Sequence, residues 1–449
     1  MNIRTYISIL IPLCVPAALS AADGLTFEGS AVQAVSMPAS MGYNTAYVAR
    51  DASALRMMYT PQRPGAAVTW ERFSSLGAAF AEPAPGLTVE NGVYIVPASA
   101  AGTDMGFCIN EEGRAPLYFW ICDYAAHPFD VTALNVDAQA SDCGRAVVSV
   151  TGTAAPLVCY SINGRSQHID RQIKLTYNSL EYDQAENQFV QKQMTQTFED
   201  VDGSISVPAP YCDTQFTLEP GRFSSEWDRP SAIVSDTYVT TAVDARTTAV
   251  QNGETADNEQ APEGAEGSLG GSAPVEIDFS AAVTDAAIYR RWEMATTTDF
   301  VDVFYTTDQL EFTYTFTEAG TTYVRFTADN ANGSCLYTGE AYAVSIGESR
   351  LDCPNAFAPA REGGDMWKVS FRSIVTFRCE IFNRWGKRLA EFDNPAEGWD
   401  GMVNGKPVPS GVYFYVIKAR GADGKDYSLS GDINVLNSRK NTGTAAPAE

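Results

Sequence analysis

The chain has 449 residues, with 31 Lys and Arg against 55 Asp and Glu and a formal net charge of −24. That balance argues against nucleic acid as a partner, since phosphate backbones are met by Lys/Arg patches, and suits a solvated extracellular surface. With 45% hydrophobic and 11% aromatic residues there is apolar material for folded cores rather than disorder, and the length allows roughly three or four domains.

The first 21 residues read as an export signal. Arg4 supplies a short positive region, Tyr6 to Leu19 are apolar around Pro12 and Pro16, and Ala18-Leu19-Ser20-Ala21-Ala22 offers small residues for cleavage. About 14 apolar residues are too few to span a bilayer. No small residue stands next to Cys14, so lipidation is not expected, and no other run is long enough to cross a membrane. Without Cys14, eight of nine cysteines stay in the mature chain, an even number that permits disulfides in an exported protein. Cys335 and Cys353 flank a domain junction and are the first candidate pair. Cys379, on a buried strand face, reads at least as well as a core thiol.

The rest reads as all-β, a tandem of immunoglobulin-like β-sandwiches ending in a small C-terminal β-sandwich. In the first module (22–130), Val68-Thr69-Trp70-Glu71-Arg72-Phe73 alternates and carries a core Trp. Met105 to Ile109 and Leu117 to Tyr124 form a late hairpin turned at Glu111-Glu112-Gly113. In the second (131–250), Ala146 to Val150, Leu157 to Ile162 and Ile173 to Tyr177 are strands, with a tight turn at Asn163-Gly164. Residues 251–272 are rich in Gly, Glu, Ala and Asn and read as a mobile acidic loop or linker open to proteolysis. In the third module (273–348), Tyr289-Arg290-Arg291-Trp292-Glu293 supplies another core Trp, and Gly320-Thr321-Thr322-Tyr323-Val324-Arg325-Phe326 follows an alternating strand. This order resembles polycystic-kidney-disease-type and other immunoglobulin-like modules.

The final module (349–440) has the densest pattern. Phe377, Cys379 and Ile381 alternate with Arg378 and Glu380, so one strand face is buried. Asn383-Arg384-Trp385-Gly386 ends that strand in a turn, Gly398-Trp399-Asp400-Gly401 makes another, and Asn404-Gly405 is a hairpin signal. Val412 to Ile417 reads as a central strand, and 441–449 as a disordered tail. With Cys353-Pro354-Asn355-Ala356-Phe357-Ala358-Pro359, Pro409-Ser410-Gly411-Val412-Tyr413 and Gly431-Asp432-Ile433, this series resembles the gliding-motility-associated C-terminal domain of Bacteroidota, the type B targeting domain of the type IX secretion system. The resemblance covers about 85 residues. It implies an address that carries the chain to the cell surface or medium, with the type IX machinery as partner. It also implies export roles for Asn383, Arg384, Trp385, Gly386, Trp399, Asp400 and Gly411. The loop at Ala360 to Asp365 is shorter and less acidic than the family's, so the resemblance implies no cation site there.

No residue pattern points to catalysis, a metal or a cofactor. The two histidines are His127, before Pro128, and His168, in Ser166-Gln167-His168-Ile169-Asp170. Triad groups normally meet from separate elements, and zinc sites need clustered Cys and His. Glu199 to Ser204 has Asp-x-Asp-Gly spacing but lacks the remaining calcium ligands. Tyr118, Phe119, Trp120 and Tyr124 lie on one run and offer a glycan-stacking platform, although strand alternation sends half of such a run into the core. The leading expectation is a non-enzymatic structural or adhesive surface protein that meets surface glycans or proteins of a host or neighbouring cell. Two alternatives stand: an extracellular glycan-acting hydrolase with carboxylates in 25–230, and a component of the gliding or secretion apparatus.

Overall fold

The computed structural model describes residues 24–436 except 103, 254, 262–268 and 360–364. The expected export signal, the tail at 441–449 and most of the 360–365 loop lie outside the described residues. The chain forms two compact units, 1–179 with 191–240 and 180–190 with 241–449. The all-β expectation holds in both.

In the first unit, one sandwich sets Leu25–Glu28, Arg56–Tyr59, Val93–Pro97 and Thr88–Glu90 against a six-stranded sheet centred on Leu117–Asp123 and Met105–Glu111. Trp70 is buried between Tyr59 and Phe119, with ring centroids 6.5 and 6.4 Å away, as its alternating strand predicts. Leu117–Asp123 pairs antiparallel with Met105–Glu111 and parallel with Thr45–Ala49. Both of its faces are buried. Phe119 and Ile121 enter the inter-sheet core, while Trp120 and Cys122 enter a second core with Leu157, Cys159, Ile169 and Phe223. That second core explains why the strand lacks polar alternation. It is covered by the hairpin of Leu157–Tyr160 and Ser166–Ile169 and by the short helix Gly221–Trp227.

The two modules expected on either side of residue 130 therefore share a core. Tyr43 donates its hydroxyl to the Tyr160 carbonyl at 2.9 Å, and Tyr124 donates to Ser224 Oγ at 2.8 Å. The buried Arg171 donates to the carbonyls of His127 and Ala155 at 2.9 and 2.6 Å. The second module's own sandwich sets Ala133–Val136, Arg145–Ala154 and Val201–Pro208 against Gln188–Phe198, Ile173–Asp183, Thr214–Glu219 and Ile233–Tyr238.

In the second unit, one sheet is Ala245–Asn252, Val275–Val283 and Glu311–Phe316. The facing sheet is Leu269–Gly271, Tyr342–Ile346, Gly320–Asp329, Tyr289–Ala295 and Val303–Thr307. Trp292 is fully buried among Phe279, Phe312 and Phe326, at 5.5, 5.7 and 5.1 Å. This module begins with Ala245–Asn252, so the segment expected as a mobile acidic loop or linker at 251–272 starts inside a strand and ends just past another, Leu269–Gly271. The Gln251 side chain brackets Gly270, accepting from its N–H at 2.8 Å and donating to its carbonyl at 2.9 Å. Gly- and Glu-rich composition signalled mobility, but these backbone groups are paired. Residues 255–260 are also docked, as shown below.

Candidate functional site

The C-terminal module is built on a five-stranded sheet in the order Ala356–Phe357, Asp426–Val435, Gly411–Gly421, Ile374–Phe382 and Arg388–Phe392. The second, smaller layer is the pair Arg350–Asp352 and Ser370–Arg372. Phe377, Cys379 and Ile381 point into the core with Ile417, Tyr413, Ile433 and Val435, the face that alternation assigned to them.

The turn after Ile374–Phe382 is closed by Asn383. Its Oδ1 accepts from the N–H groups of Trp385 and Lys387, both at 3.0 Å, and the Gly386 N–H donates to its carbonyl at 3.0 Å. Gly386 sits at φ 76°, a left-handed conformation costly for residues with a Cβ. The turn lifts Trp385 to 76% exposure, with the Arg384 guanidinium stacked 4.3 Å over its ring. The result is a flat aromatic and cationic knob on a rigid base.

Trp399 is elsewhere and differently disposed. It is buried, with Phe357 and Tyr413 at 5.5 and 5.4 Å, and its indole N–H donates to the Met402 carbonyl at 3.3 Å. Asp400 accepts from the Met402 N–H at 2.8 Å and shapes the same loop. Gly411 opens its strand at φ 159° with open space where a Cβ would stand. Of the seven residues singled out in the sequence, then, Asn383, Arg384, Trp385 and Gly386 form one turn, and Trp399 and Asp400 belong to another loop, with Trp399 buried and Asp400 exposed.

Sequence reasoning passed over Trp367, fully buried and donating its indole N–H to the Pro354 carbonyl at 2.7 Å. It also passed over a charged lattice on the outer sheet face. Arg388 contacts Glu380 and Glu391 at 2.8 and 2.6 Å, and Arg378 contacts Glu380 at 3.4 Å and also Glu391. The Arg388 hydrogen bond holds the Glu380 carboxyl below its ordinary range. Cross-strand register was the available signal, since Glu380 lies opposite Glu391 and like charges there require cations between them.

Cys335 is disulfide-bonded whereas Cys353 is a free thiol, so the expected Cys335–Cys353 pair does not form. The Cys353 side chain packs instead on the C-terminal core, near Cys379, whose thiol burial pushes up to about 12. Cys143 is likewise disulfide-bonded.

His127 Nε2 lies 2.9 Å from Asp104 and His168 Nδ1 lies 3.6 Å from Glu199. Asp202 belongs to Val201–Pro208, paired with Thr153. Among the described residues no group of three or more His, Cys, Asp and Glu is placed to hold a metal ion, and no helix is long and apolar enough to cross a membrane. Phe119, Trp120 and Tyr124 are buried, so the run offers no four-residue glycan platform on the surface. Tyr118 does line a cavity of about 460 Å³ at one end of the first sandwich, with Tyr43, Asn44, Tyr47 and Arg114. Glu111 at its wall is committed, accepting from Tyr59 Oη and the Arg63 N–H, both at 2.6 Å.

Residues 351–434 match the CHU_C Type IX secretion signal domain. Residues 135–235 match a fibronectin type III domain, in keeping with the immunoglobulin-like reading upstream. The first match supports a cargo of the type IX secretion system, handled by that machinery and exported to the cell surface or extracellular space. No curated protein matches the chain in sequence. Among solved structures, the three N-terminal domains of the bacteriophage RB49 Highly Immunogenic Outer Capsid protein (Hoc) align at 9% identity and TM-score 0.23, over 68% of this chain and 99% of that one. Dimeric latent PorU from Porphyromonas gingivalis aligns at 12% identity and TM-score 0.16, over 73% of this chain and 36% of that one.

Proposed function

We propose that the protein is a non-enzymatic structural or adhesive component of the cell surface. In this reading the upstream sandwiches are the working part and the signal domain is their address. The observation that carries it is the division of labour within the chain. The matched domain exposes Trp385, stacked with Arg384, on a tight turn, while upstream Glu111, His127 and Asp104 are engaged in hydrogen bonds and Asp202 sits in a strand register. Wet sandwich surfaces bind through loops and clefts at their ends. The cavity beside Tyr47, Tyr118 and Arg114 falls within the size range of small-ligand sites, and is where a surface glycan or a neighbouring cell's protein would be met.

The test is adhesion of the native host with the full chain present or deleted, to neighbouring cells and to glycan-coated surfaces, alongside incubation of purified protein with the same glycans. Reduced adhesion with intact glycans supports the proposal. Unchanged adhesion together with glycan cleavage overturns it in favour of the hydrolase.

A further inference from the structure

We infer that the signal domain is clasped to the module before it by residues 255–260, so that the export signal works as one body with residues 241–348. The clasp residues lie outside the family match, which begins at 351.

The clasp is a single β-bridge made at a sheet edge. Phe371 donates its N–H to the Asn258 carbonyl at 3.1 Å and accepts from the Gln260 N–H at 2.7 Å, which makes a parallel bridge between Glu259 and Phe371. The bridge covers the Ser370–Arg372 edge of its pair with Arg350–Asp352 at Phe371, where the backbone groups would otherwise be unpaired. Side chains fix the register. The Asn258 amide donates to the carbonyls of Val369 and Pro395 at 2.7 and 2.8 Å, using both of its hydrogens across two segments of the signal domain. Gln260 donates to Ser370 Oγ at 2.6 Å. Lys368 Nζ reaches both Asp257 oxygens at 2.8 and 3.0 Å, and Ala256 packs on the signal-domain core.

A second hold lies at Ser373, fully buried and at φ 51°. Its N–H donates to Ser272 Oγ at 2.7 Å, and its Oγ accepts from the Ala273 N–H at 3.2 Å. Its carbonyl accepts from the Ala422 N–H at 2.9 Å, and the Ala422 carbonyl accepts from the Ala319 N–H at 3.0 Å. Removing the clasp leaves the Val369 and Pro395 carbonyls without these donors, the costly side of hydrogen-bond loss.

The experiment uses the full chain with a protease site inserted between Gly347 and Glu348, cut after purification and run on native size exclusion at micromolar concentration. The two pieces are expected to migrate together and to part in urea. In D257A/N258A/Q260A their affinity is expected to fall at least tenfold. In the uncut variant, the Phe371 amide is expected to exchange faster while amides of Ile374–Phe382 stay protected, which separates loss of the clasp from misfolding. Prompt separation of the cut wild-type pieces, or equal affinity in the triple variant, overturns the inference. The clasp draws on the signal-domain reading for its meaning, but this assay reads attachment and not export, so the two readings fail separately.

Discussion

Trp367 and Trp399 hold each other by their backbones, the N–H of each donating to the carbonyl of the other at 2.9 and 3.0 Å. This single antiparallel bridge ties the Trp399 loop of the signal domain to the segment that leads into its second sheet. It also explains the glycine before Trp399, since a Cβ at Gly398 would stand 2.8 Å from the Trp367 carbonyl oxygen.

Trp399→Ala is expected to destabilise the signal domain by about 3–5 kcal/mol, as large aromatic deletions from packed cores do. Gly398→Ala is expected to destabilise it through the backbone clash. Denaturant unfolding followed by hydrogen exchange at Gly411–Gly421 reports both, and native-like protection in Trp399→Ala would contradict the assignment of this ring to the core.

Trp385→Ala should leave stability within about 0.5 kcal/mol, because the ring is largely exposed, while lowering the amount of protein that reaches the cell surface. A variant that is both stable and fully exported would remove Trp385 from the recognition surface.

Asn383→Ala should cost about 1 kcal/mol by freeing the two N–H groups its side chain accepts from. Asp at the same position keeps an acceptor and should recover most of the loss in the same unfolding measurement.

Acid should loosen the clasp. The Lys368 hydrogen bond holds the Asp257 carboxyl below its ordinary value of 3.8. A carboxyl lowered in the folded state contributes above its unfolded value and loses that contribution as pH falls through the folded one. The cut chain should therefore stay together equally well at pH 7 and pH 5 and weaken only below about pH 4. Asp257→Asn should flatten that change in co-elution.

Among the described free cysteines, Cys353 is the one that is not buried. It should be alkylated first in the native protein, with Cys108, Cys122, Cys159 and Cys379 reacting only on unfolding. Mass spectrometry of the labelled peptides reads this directly.

Much of this was legible in the sequence, for local reasons. The alternation at Phe377, Cys379 and Ile381, the core placement of Trp70 and Trp292 and the turn at Asn383 to Gly386 all follow from residues adjacent in the chain. What stayed hidden depends on long-range pairing. Asn258 reads as one polar residue in a Gly- and Glu-rich stretch, and only the backbone of residues more than a hundred positions away gives its amide two acceptors. Cys353 looked like a partner for Cys335 because they flank a junction, but side-chain direction turns its sulfur onto the C-terminal core. The run Tyr118 to Tyr124 looked like a platform because the hairpin and helix that bury its second face come from beyond residue 150.

Residues 349–436 are read as the address for the rest. The most direct measurement of that role compares the full chain with one stopped at Gly347 in a host that has the type IX system, by surface protease accessibility and by fractionation of periplasm, membrane and medium. The shortened chain is expected to be stranded in the periplasm and shielded from external protease. If it reaches the surface or medium as the full chain does, the C-terminal domain is a working part of the mature protein and not its address.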